Sequence, residues 1–372
     1  MNEQTKRLLA LTGAEIPIVQ APMATVATPA LAAAACNAGA LGSLGCAVLP
    51  PEAFRAQVEE LRSLTNKPFN VNFFAHAAPT SDRERDGAFA ARLKPYFDEL
   101  EVEQPPGLAE LFPSFDATML EAVRELRPPI VSFHFGLPDA ETVAAIKDDG
   151  AVLISTATTV AEARTLERRG VDVIVAQGHE AGGHSGVFEP DGGPGRAAAQ
   201  IGAQIGAQVG AQIGTMALVP QIVDAVSVPV LAAGGLFDGR GVAAALALGA
   251  AGAQLGTAFV ACPESAVNPV YREALTSCGD DGTRMTTLFS GRPARAISTR
   301  LLRELADLDG RTPAFPLPIS QTMLLGMASA QRDSPDFAAM WAGQGAAGAR
   351  AMPAGELVAT LVAEAREAGA AI

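Results

Sequence analysis

The densest concentration of residues that could do chemistry lies in one short stretch, Val175–Gly186, which reads VAQGHEAGGHSG. It holds two histidines, His179 and His184, and four glycines. Glycine lets the backbone adopt positive φ and approach a flat ligand closely, while an imidazole titrates near neutral pH and can act as a general base. The pattern predicts a turn that cradles a ring system and aims a histidine at it. A plain glycine-rich turn is the alternative.

All four histidines of the chain lie at or just beyond the ends of segments that read as strands. His76 follows the third segment, His134 ends the fourth, and His179 and His184 follow the sixth. In a (β/α)₈ barrel the catalytic residues sit at the C-terminal ends of the strands. The spacing therefore predicts that the histidines gather at one face of such a barrel.

A second group of candidates follows the last two predicted strands. Val230–Gly235 reads VLAAGG, and Ala253–Phe259 reads AQLGTAF. Loops after strands seven and eight of a barrel commonly bind phosphate through backbone N–H groups and a helix N-terminus. The residues that fit this task are Gly234, Gly235, Gly256 and Thr257. Together the two loops predict a site for a phosphorylated cofactor.

Eight short apolar runs must position these candidates. A helical stretch follows each of the first seven runs, and the eighth is the last of the series. The runs are Ile16–Ala21, Ala40–Leu44, Phe69–Phe73, Pro129–Phe133, Val152–Ser155, Asp172–Ala176, Pro229–Ala233 and Ala251–Leu255. They are apolar on both faces, as buried parallel strands are. Eight alternating units predict an α/β fold of the (β/α)₈ TIM-barrel type, with an open doubly wound sheet as the alternative.

Three segments depart from the barrel pattern. The polar stretch Thr80–Leu100 predicts an inserted helix after the third strand, and residues 263–372 read as a mostly helical extension. We expect both to pack on a single cofactor-binding barrel domain that spans residues 1–372. Residues 199–214 read AQIGAQIGAQVGAQIG, a four-residue repeat that we interpret as a tandem expansion and a tolerated insertion.

Composition and motifs exclude several classes of protein. The formal net charge of −13 argues against nucleic-acid binding. We find no apolar window long enough to span a membrane and no secretory signal within Met1–Glu15, so we expect a cytoplasmic protein with reduced thiols. The four cysteines form no C-x-x-C pair, and neither a metal-binding cluster, a Walker loop nor a serine-hydrolase elbow is present.

Taken in order, the motifs resemble those of the nitronate monooxygenase family, formerly called 2-nitropropane dioxygenases. The matching stretches are PIVQAPMA (17–24), PFNVNFF (68–74), VSFHFGLP (131–138), AQGHEAGGHSG (176–186), LAAGGLFDGRG (231–241), GAQLGTAF (252–259), FSGRPAR (289–295) and WAGQG (341–345). PFNVNFF and AQGHEAGGHSG are the most specific of them. The repeat at residues 199–214 departs from the family pattern.

The resemblance implies FMN as the cofactor and assigns roles to matching positions. The residues that it places against FMN are Ala21, Pro22, Met23, Asn70, Gln177, Gly182, Gly183, Gly234, Gly235, Gln254, Leu255, Gly256 and Thr257. The catalytic histidine corresponds to His184, and His134 would line the substrate pocket. No metal is implied.

The activity that the resemblance implies is the oxidation of alkyl nitronates by O₂ to a carbonyl compound and nitrite. A neutral nitroalkane would first lose its α-proton to a base such as His184. Propionate 3-nitronate and simple alkyl nitronates are both candidate substrates. One alternative is an FMN-dependent oxidoreductase that uses NAD(P)H to reduce quinones or enoyl thioesters. The other is an FMN-binding protein without turnover.

Overall fold

Eight parallel strands form the centre of the computed structural model, which describes residues 1–188 and 212–372. The strands are β1 (Ile18–Gln20), β2 (Gly42–Gly45), β3 (Phe69–Phe74), β4 (Ile130–His134), β5 (Val152–Ala157), β6 (Val173–Gln177), β8 (Val230–Ala233) and β9 (Gly252–Leu255). Each pairs in parallel with its neighbours, β1 pairs with β9, and a parallel bridge between Val19 and Leu41 brings β1 beside β2. The predicted (β/α)₈ barrel is confirmed.

The predicted apolar runs became strands because both of their faces are buried. Three consecutive residues of β6, Val173, Ile174 and Val175, are each at most 3% exposed, so the strand faces the barrel interior on one side and helices on the other. Each predicted run overlaps its strand, and no end differs by more than two residues. The repeat at residues 199–214 lies almost entirely outside the described residues, which resume at residue 212.

Helices surround the barrel and cover its ends. They are α1 (Glu3–Thr12), α2 (Pro29–Asn37), α3 (Pro51–Leu64), α4 (Arg83–Glu99), α5 (Ala117–Leu126), α6 (Ala140–Asp148), α7 (Val160–Arg168), α8 (Thr215–Val223), α9 (Gly239–Ala247), α10 (Thr257–Val260), α11 (Pro269–Thr276), α12 (Arg300–Glu304), α13 (Ile319–Ala330) and α14 (Ala354–Glu367). Many begin at an Asn, Asp or Thr that caps the first turn, and Thr159 and Glu162 form a full capping box on α7. Within the described ranges, no helix has the length and apolar character to cross a membrane.

A small antiparallel sheet, which the sequence pattern does not reveal, lies beside the barrel. It pairs β10 (Thr283–Thr286) with β11 (Ala294–Ile297), and β11 with the two-residue strand β7 (Gly183–His184). Strands this short carry no readable alternation of apolar and polar residues. The region after residue 263 therefore contributes sheet as well as helix, and it reaches the predicted catalytic loop directly.

The inserted helix α4 and the C-terminal region share a hydrophobic core of their own, which we call the cap core. Its α4 side is formed by Phe89, Leu93, Tyr96 and Phe97, followed by Leu100. Its C-terminal side is formed by Leu288, Phe289, Ala296, Leu301, Leu302, Leu305, Leu325, Ala328 and Phe337. Two bidentate ion pairs, Arg92 with Asp307 and Arg300 with Glu99, lie at its edge. The insertion and the extension thus form one cap on the barrel.

Because the cap core joins distant segments, we expect it to unfold with the barrel in one transition. Leu93 is fully buried in this core, and Leu93→Ala should lower the free energy of unfolding by about 2–5 kcal/mol. Lys94→Ala, at the half-exposed next position, is the matched control and should change it by less than about 0.5 kcal/mol. Denaturant unfolding followed by circular dichroism measures both. A separate early transition in Leu93→Ala would contradict the shared core.

Candidate active site

A cavity of about 620 Å³ opens at the C-terminal ends of the barrel strands, between the barrel and the cap. It collects most of the residues singled out from the sequence. Those that line it are Ala21, Pro22, Met23, His134, Gln177, Gly182, Gly183, His184, Gly234, Gly235, Gln254, Gly256 and Thr257. Its size is that of a typical cofactor or ligand site.

Two of the sequence candidates lie outside this lining. Asn70 is buried one layer deeper in the barrel, where its Nδ2 donates to Ser43 Oγ at 3.2 Å and its Oδ1 has no hydrogen-bond partner. Asn72, two residues further along the same strand face, lines the cavity and donates from Nδ2 to Ser132 Oγ at 2.8 Å. Leu255 is buried, and its carbonyl oxygen accepts from Ala21 N at 2.8 Å.

His184 lies on β7, where it pairs with Ala294 of β11. Its Nε2 is 2.8 Å from Ser290 Oγ, and its ring centroid is 5.1 Å from that of Trp341. Among the described residues Nδ1 has no partner, so this is the nitrogen left for a ligand. Because the serine hydroxyl can either donate to Nε2 or accept from it, both neutral tautomers of His184 are compatible with this contact.

The backbone of the loop that carries His184 is held by two side chains that also line the cavity. His134 Nε2 and Gln177 Nε2 donate to the carbonyl oxygen of His184, at 3.1 Å and 2.9 Å respectively. Gln177 Oε1 accepts from Gly186 N at 2.7 Å, and His134 Nδ1 contacts Thr156 Oγ1 at 3.2 Å. In this structure both residues therefore position His184. Their predicted contacts with cofactor and substrate stay predictions.

A buried cation lies behind the aromatic wall of the cavity. Arg292 is 7% exposed, its guanidinium carbon is 4.0 Å from the centroid of the Phe135 ring, and its Nη1 donates to Val187 O at 3.0 Å. Among the described residues it makes no ion pair. Burial lowers the pKa of this guanidinium to about 10, so it remains charged at neutral pH. It supplies a fixed positive potential to the site.

At neutral pH, the two histidines that line the cavity, His134 and His184, are uncharged. Burial, reinforced by His134 and then by Arg292, lowers the pKa of His184 to about 3. Burial is also the largest cause that lowers the pKa of His134 to about 4. A neutral imidazole can accept or donate one hydrogen bond at its free nitrogen, but it is a weak base when its protonated form is this unfavourable.

The far wall of the cavity is built from closely packed backbone. A Cβ on Gly182 would lie 2.4 Å from Gly343 N, so only glycine permits this approach. Gly234 has a φ of +116°, a conformation that side chains disfavour. Glu180 fixes the same region, since its carboxylate accepts from Thr215 N at 2.9 Å and from Thr215 Oγ1 at 2.9 Å.

These walls fit a flat cofactor that carries a phosphate. Gln254 lines the cavity with a side-chain amide that makes no hydrogen bond to the described residues. Helix α10 begins at Thr257, and the first N–H groups of a helix have no partner within it. No Lys, Arg, Asp or Glu is among the described residues that line the cavity, so a phosphate here would be bound mainly by backbone N–H groups. Nor do the described residues include three His, Cys, Asp or Glu grouped to hold a metal.

Residues 5–364 match the model of the family described as "Nitronate monooxygenase". The chain belongs to the nitronate monooxygenase family. It is 46% identical over 365 residues to the nitronate monooxygenase of Pseudomonas aeruginosa, with 97% of this chain and 99% of the relative covered. Identity to the nitronate monooxygenase of Paraburkholderia phytofirmans is 43%, over 99% of this chain and 97% of that one.

A solved structure agrees with this assignment. The crystal structure of nitroalkane oxidase from Streptomyces ansochromogenes superposes with a TM-score of 0.84 at 38% identity, covering 98% of this chain and 99% of the other. The chain is therefore an enzyme of the nitronate monooxygenase family, which in general depends on a flavin.

Two residues that influence His184 were not identified from the sequence. Ser290 contacts His184 Nε2, and the positive charge of Arg292 contributes to lowering the pKa of His184. Both belong to FSGRPAR (289–295), a stretch that supports the resemblance but received no role. Two basic residues in a glycine- and serine-containing turn were the available signal, yet nothing in their spacing connects them with a loop a hundred positions earlier.

We expect the stability of this enzyme to fall in mild acid because its histidines are buried neutral. His76 is the cleanest case, since it is 8% exposed and neither ring nitrogen has a hydrogen-bond partner. Burial lowers its pKa to about 3, whereas an unfolded histidine has a pKa near 6.5. Below pH 6.5 the unfolded chain therefore binds a proton that the folded chain does not, which costs about 1.4 kcal/mol per pH unit.

His76→Phe removes this titration and places an apolar ring beside Phe315, whose ring centroid lies 4.8 Å from that of His76. Relative to wild type, the variant should gain about 2 kcal/mol of stability at pH 5 compared with pH 8. Unfolding in urea at the two pH values gives the difference. An identical pH dependence in variant and wild type would show that His76 is charged or accessible in the folded protein.

Proposed function

We propose that this chain binds FMN in the cavity and oxidises alkyl nitronates with O₂ to a carbonyl compound and nitrite. The observation that carries the proposal is a single cavity that joins a glycine-rich, phosphate-compatible wall to a neutral buried histidine, His184, beside the fixed charge of Arg292. The cofactor would be held by Gly182, Gly234, Gly235, Gln254, Gly256 and Thr257. When bound, the flavin supplies the electron-transfer and oxygen chemistry.

The electrostatics of the site suit an anionic substrate. A nitronate carries its negative charge on the nitro oxygens. The buried guanidinium of Arg292 packs on Phe135 and lies 5.6 Å from the centroid of the Phe315 ring, which lines the cavity. It would stabilise such a charge over several ångströms, because the aromatic rings exclude water and the charge is poorly screened. With Ser290 donating to Nε2, the Nδ1–H of His184 can donate to a nitronate oxygen.

A neutral nitroalkane requires the opposite tautomer. If Nε2–H donates to Ser290 Oγ, Nδ1 is free to accept the α-proton. The resulting imidazolium is disfavoured by the same burial and by Arg292, since the pKa of His184 is already lowered to about 3. We therefore expect preformed nitronates to be better substrates than nitroalkanes.

The identity of the cofactor is tested by mass. The purified protein should be yellow and release FMN on denaturation, since the described residues offer one glycine-rich phosphate wall and no second dinucleotide loop. Mass spectrometry of the released flavin distinguishes FMN from FAD. Release of FAD, or of no flavin after reconstitution, would overturn this part of the proposal.

The role of His184 is tested by His184→Asn with both substrate forms. Asn cannot accept the α-proton, so kcat/KM for nitroethane should fall by about 10²–10⁴-fold. Ethyl nitronate needs no deprotonation and should lose only the value of a hydrogen bond to a charged group, about 1–3 kcal/mol. The matched control is His179→Asn, in the same loop but outside the cavity lining, which should spare both substrates.

Two outcomes would contradict this assignment. Equal losses on nitroethane and ethyl nitronate would remove the base role and leave His184 as a binding residue. Rapid bleaching of the flavin by NADPH without oxygen, together with no oxygen uptake on any nitronate, would favour the NAD(P)H-dependent alternative.

A further inference from the structure

One wall of the cavity takes no part in the proposed oxidation. It is a single face of helix α13, whose residues at helical spacing line the cavity in succession. They are Ile319, Thr322, Met323, Gly326, Met327 and Ala330. Thr322 is the polar member of this set, and its hydroxyl already donates to Phe289 O at 2.8 Å. The face therefore offers a ligand only apolar contacts.

This face leads from the catalytic histidine to solvent. Phe315, four residues before the helix begins, lies 5.5 Å from the His184 ring. Ile319 is partly buried, Met323 is 38% exposed, and Met327 is 55% exposed. At 1.5 Å per residue, Ile319 and Met327 are roughly 12 Å apart along the helix. The cavity thus has an apolar path from His184 to its mouth.

Exposed methionines at this place are unusual for this chain. Six large apolar side chains are exposed among the described residues, and two of them are Met323 and Met327, one helical turn apart. A flexible thioether adapts to ligands of varied length and shape. Exposed apolar surface that is continuous with a cavity is typical of ligand binding.

The uncharged lining limits further the chemical class of ligand that can bind here. None of the described lining residues is Lys or Arg, so nothing along this path would pair with a carboxylate at the far end of a substrate. Moving an unpaired carboxylate into such a path costs far more than moving a methyl group. An uncharged hydrocarbon tail is the occupant that this wall fits.

We propose that the Met323–Met327 face of α13 binds the unbranched alkyl chain of the nitronate, so that this enzyme prefers longer primary alkyl nitronates to short ones and to nitronates with a carboxylate tail. The inference rests on the proposed nitronate oxidation. It names Met323 and Met327 as specificity-determining residues that contact the tail and not the reacting atoms.

The test is a chain-length series of preformed nitronates from nitroethane to 1-nitrohexane, measured as kcat/KM by oxygen uptake. Full burial of one methylene corresponds to about fourfold in affinity, and this face is partly open. We expect the six-carbon nitronate to exceed the two-carbon nitronate by at least about tenfold. The nitronate of 3-nitropropionate should fall well below that of 1-nitrobutane, which has a similar length and no carboxylate.

A charge-introducing variant tests the residues themselves. Met327→Lys should lower the ratio of six-carbon to two-carbon kcat/KM by several-fold and raise the relative activity on the 3-nitropropionate nitronate. The control is Met216→Lys, which adds the same charge at a methionine that is 68% exposed on α8 and does not line the cavity. It should leave the ratio at the wild-type value. Flavin content measured for each variant confirms that it is folded and loaded.

The outcomes separate the two proposals. Activity on ethyl nitronate with a flat chain-length profile would overturn the inference and leave nitronate oxidation standing. A steep profile that Met327→Lys does not change would place the chain against another wall, and would also overturn it. Failure to oxidise any nitronate of the series would overturn the proposed function and this inference with it.

Discussion

The arrangement of the site depends on a pairing between two segments that are far apart in sequence. His184 lies on a strand of two residues, which has no stability by itself and exists because β11 pairs with it. The same segment supplies Ser290, 106 positions from His184, which contacts its Nε2. The orientation of the histidine is therefore fixed by the C-terminal extension, while the barrel fixes the position of its backbone through Gln177 and His134. Neither part builds the site without the other.

The buried charge of Arg292 makes the electrostatic potential of the site positive, and its burial lowers the stability of the fold. An ion removed from water must recover its hydration energy from neighbours, and here a carbonyl and an aromatic face provide part of it. The positive potential of Arg292 acts on the titratable groups near it. It disfavours protonation of His184 and His76, and it stabilises an anion placed in the cavity. The same charge would favour a nitronate and oppose a reaction that must first generate an imidazolium. The preference that we expect between the two substrate forms therefore rests first on the burial of His184, which is the largest cause of its lowered pKa, and then on nearby groups that include Arg292.

The barrel and the position of the loop that carries His184 could be predicted from the sequence because both rest on local patterns. The run Val173–Gln177 places apolar residues on both faces of a strand, and this can be recognised from the sequence alone. The same holds for the glycines around His184. What escaped prediction depends on distance in the fold. Ser290 and Arg292 act across a pairing that no local periodicity encodes. Asn70 and Asn72 share one strand face, and only the depth of the barrel decides that Asn72 lines the cavity. The small sheet was missed for the same reason, since its strands are defined by their partner.

Helix α13 connects the stability of the cap to the shape of the cavity. One of its faces, which includes Leu325 and Ala328, is buried in the cap core with α4 and the segment that carries Phe289. The opposite face lines the cavity and is apolar as well, although part of it is open to solvent. Exposed apolar surface that continues into a cavity is typical of a ligand-binding site. The face carries no charged residue, so a molecule with a hydrocarbon surface is the ligand that would fit it best. A bound hydrocarbon chain would contact this face over a length that depends on the number of its carbons, while the opposite face stays packed in the cap core. Selectivity for chain length would then require no loosening of the cap.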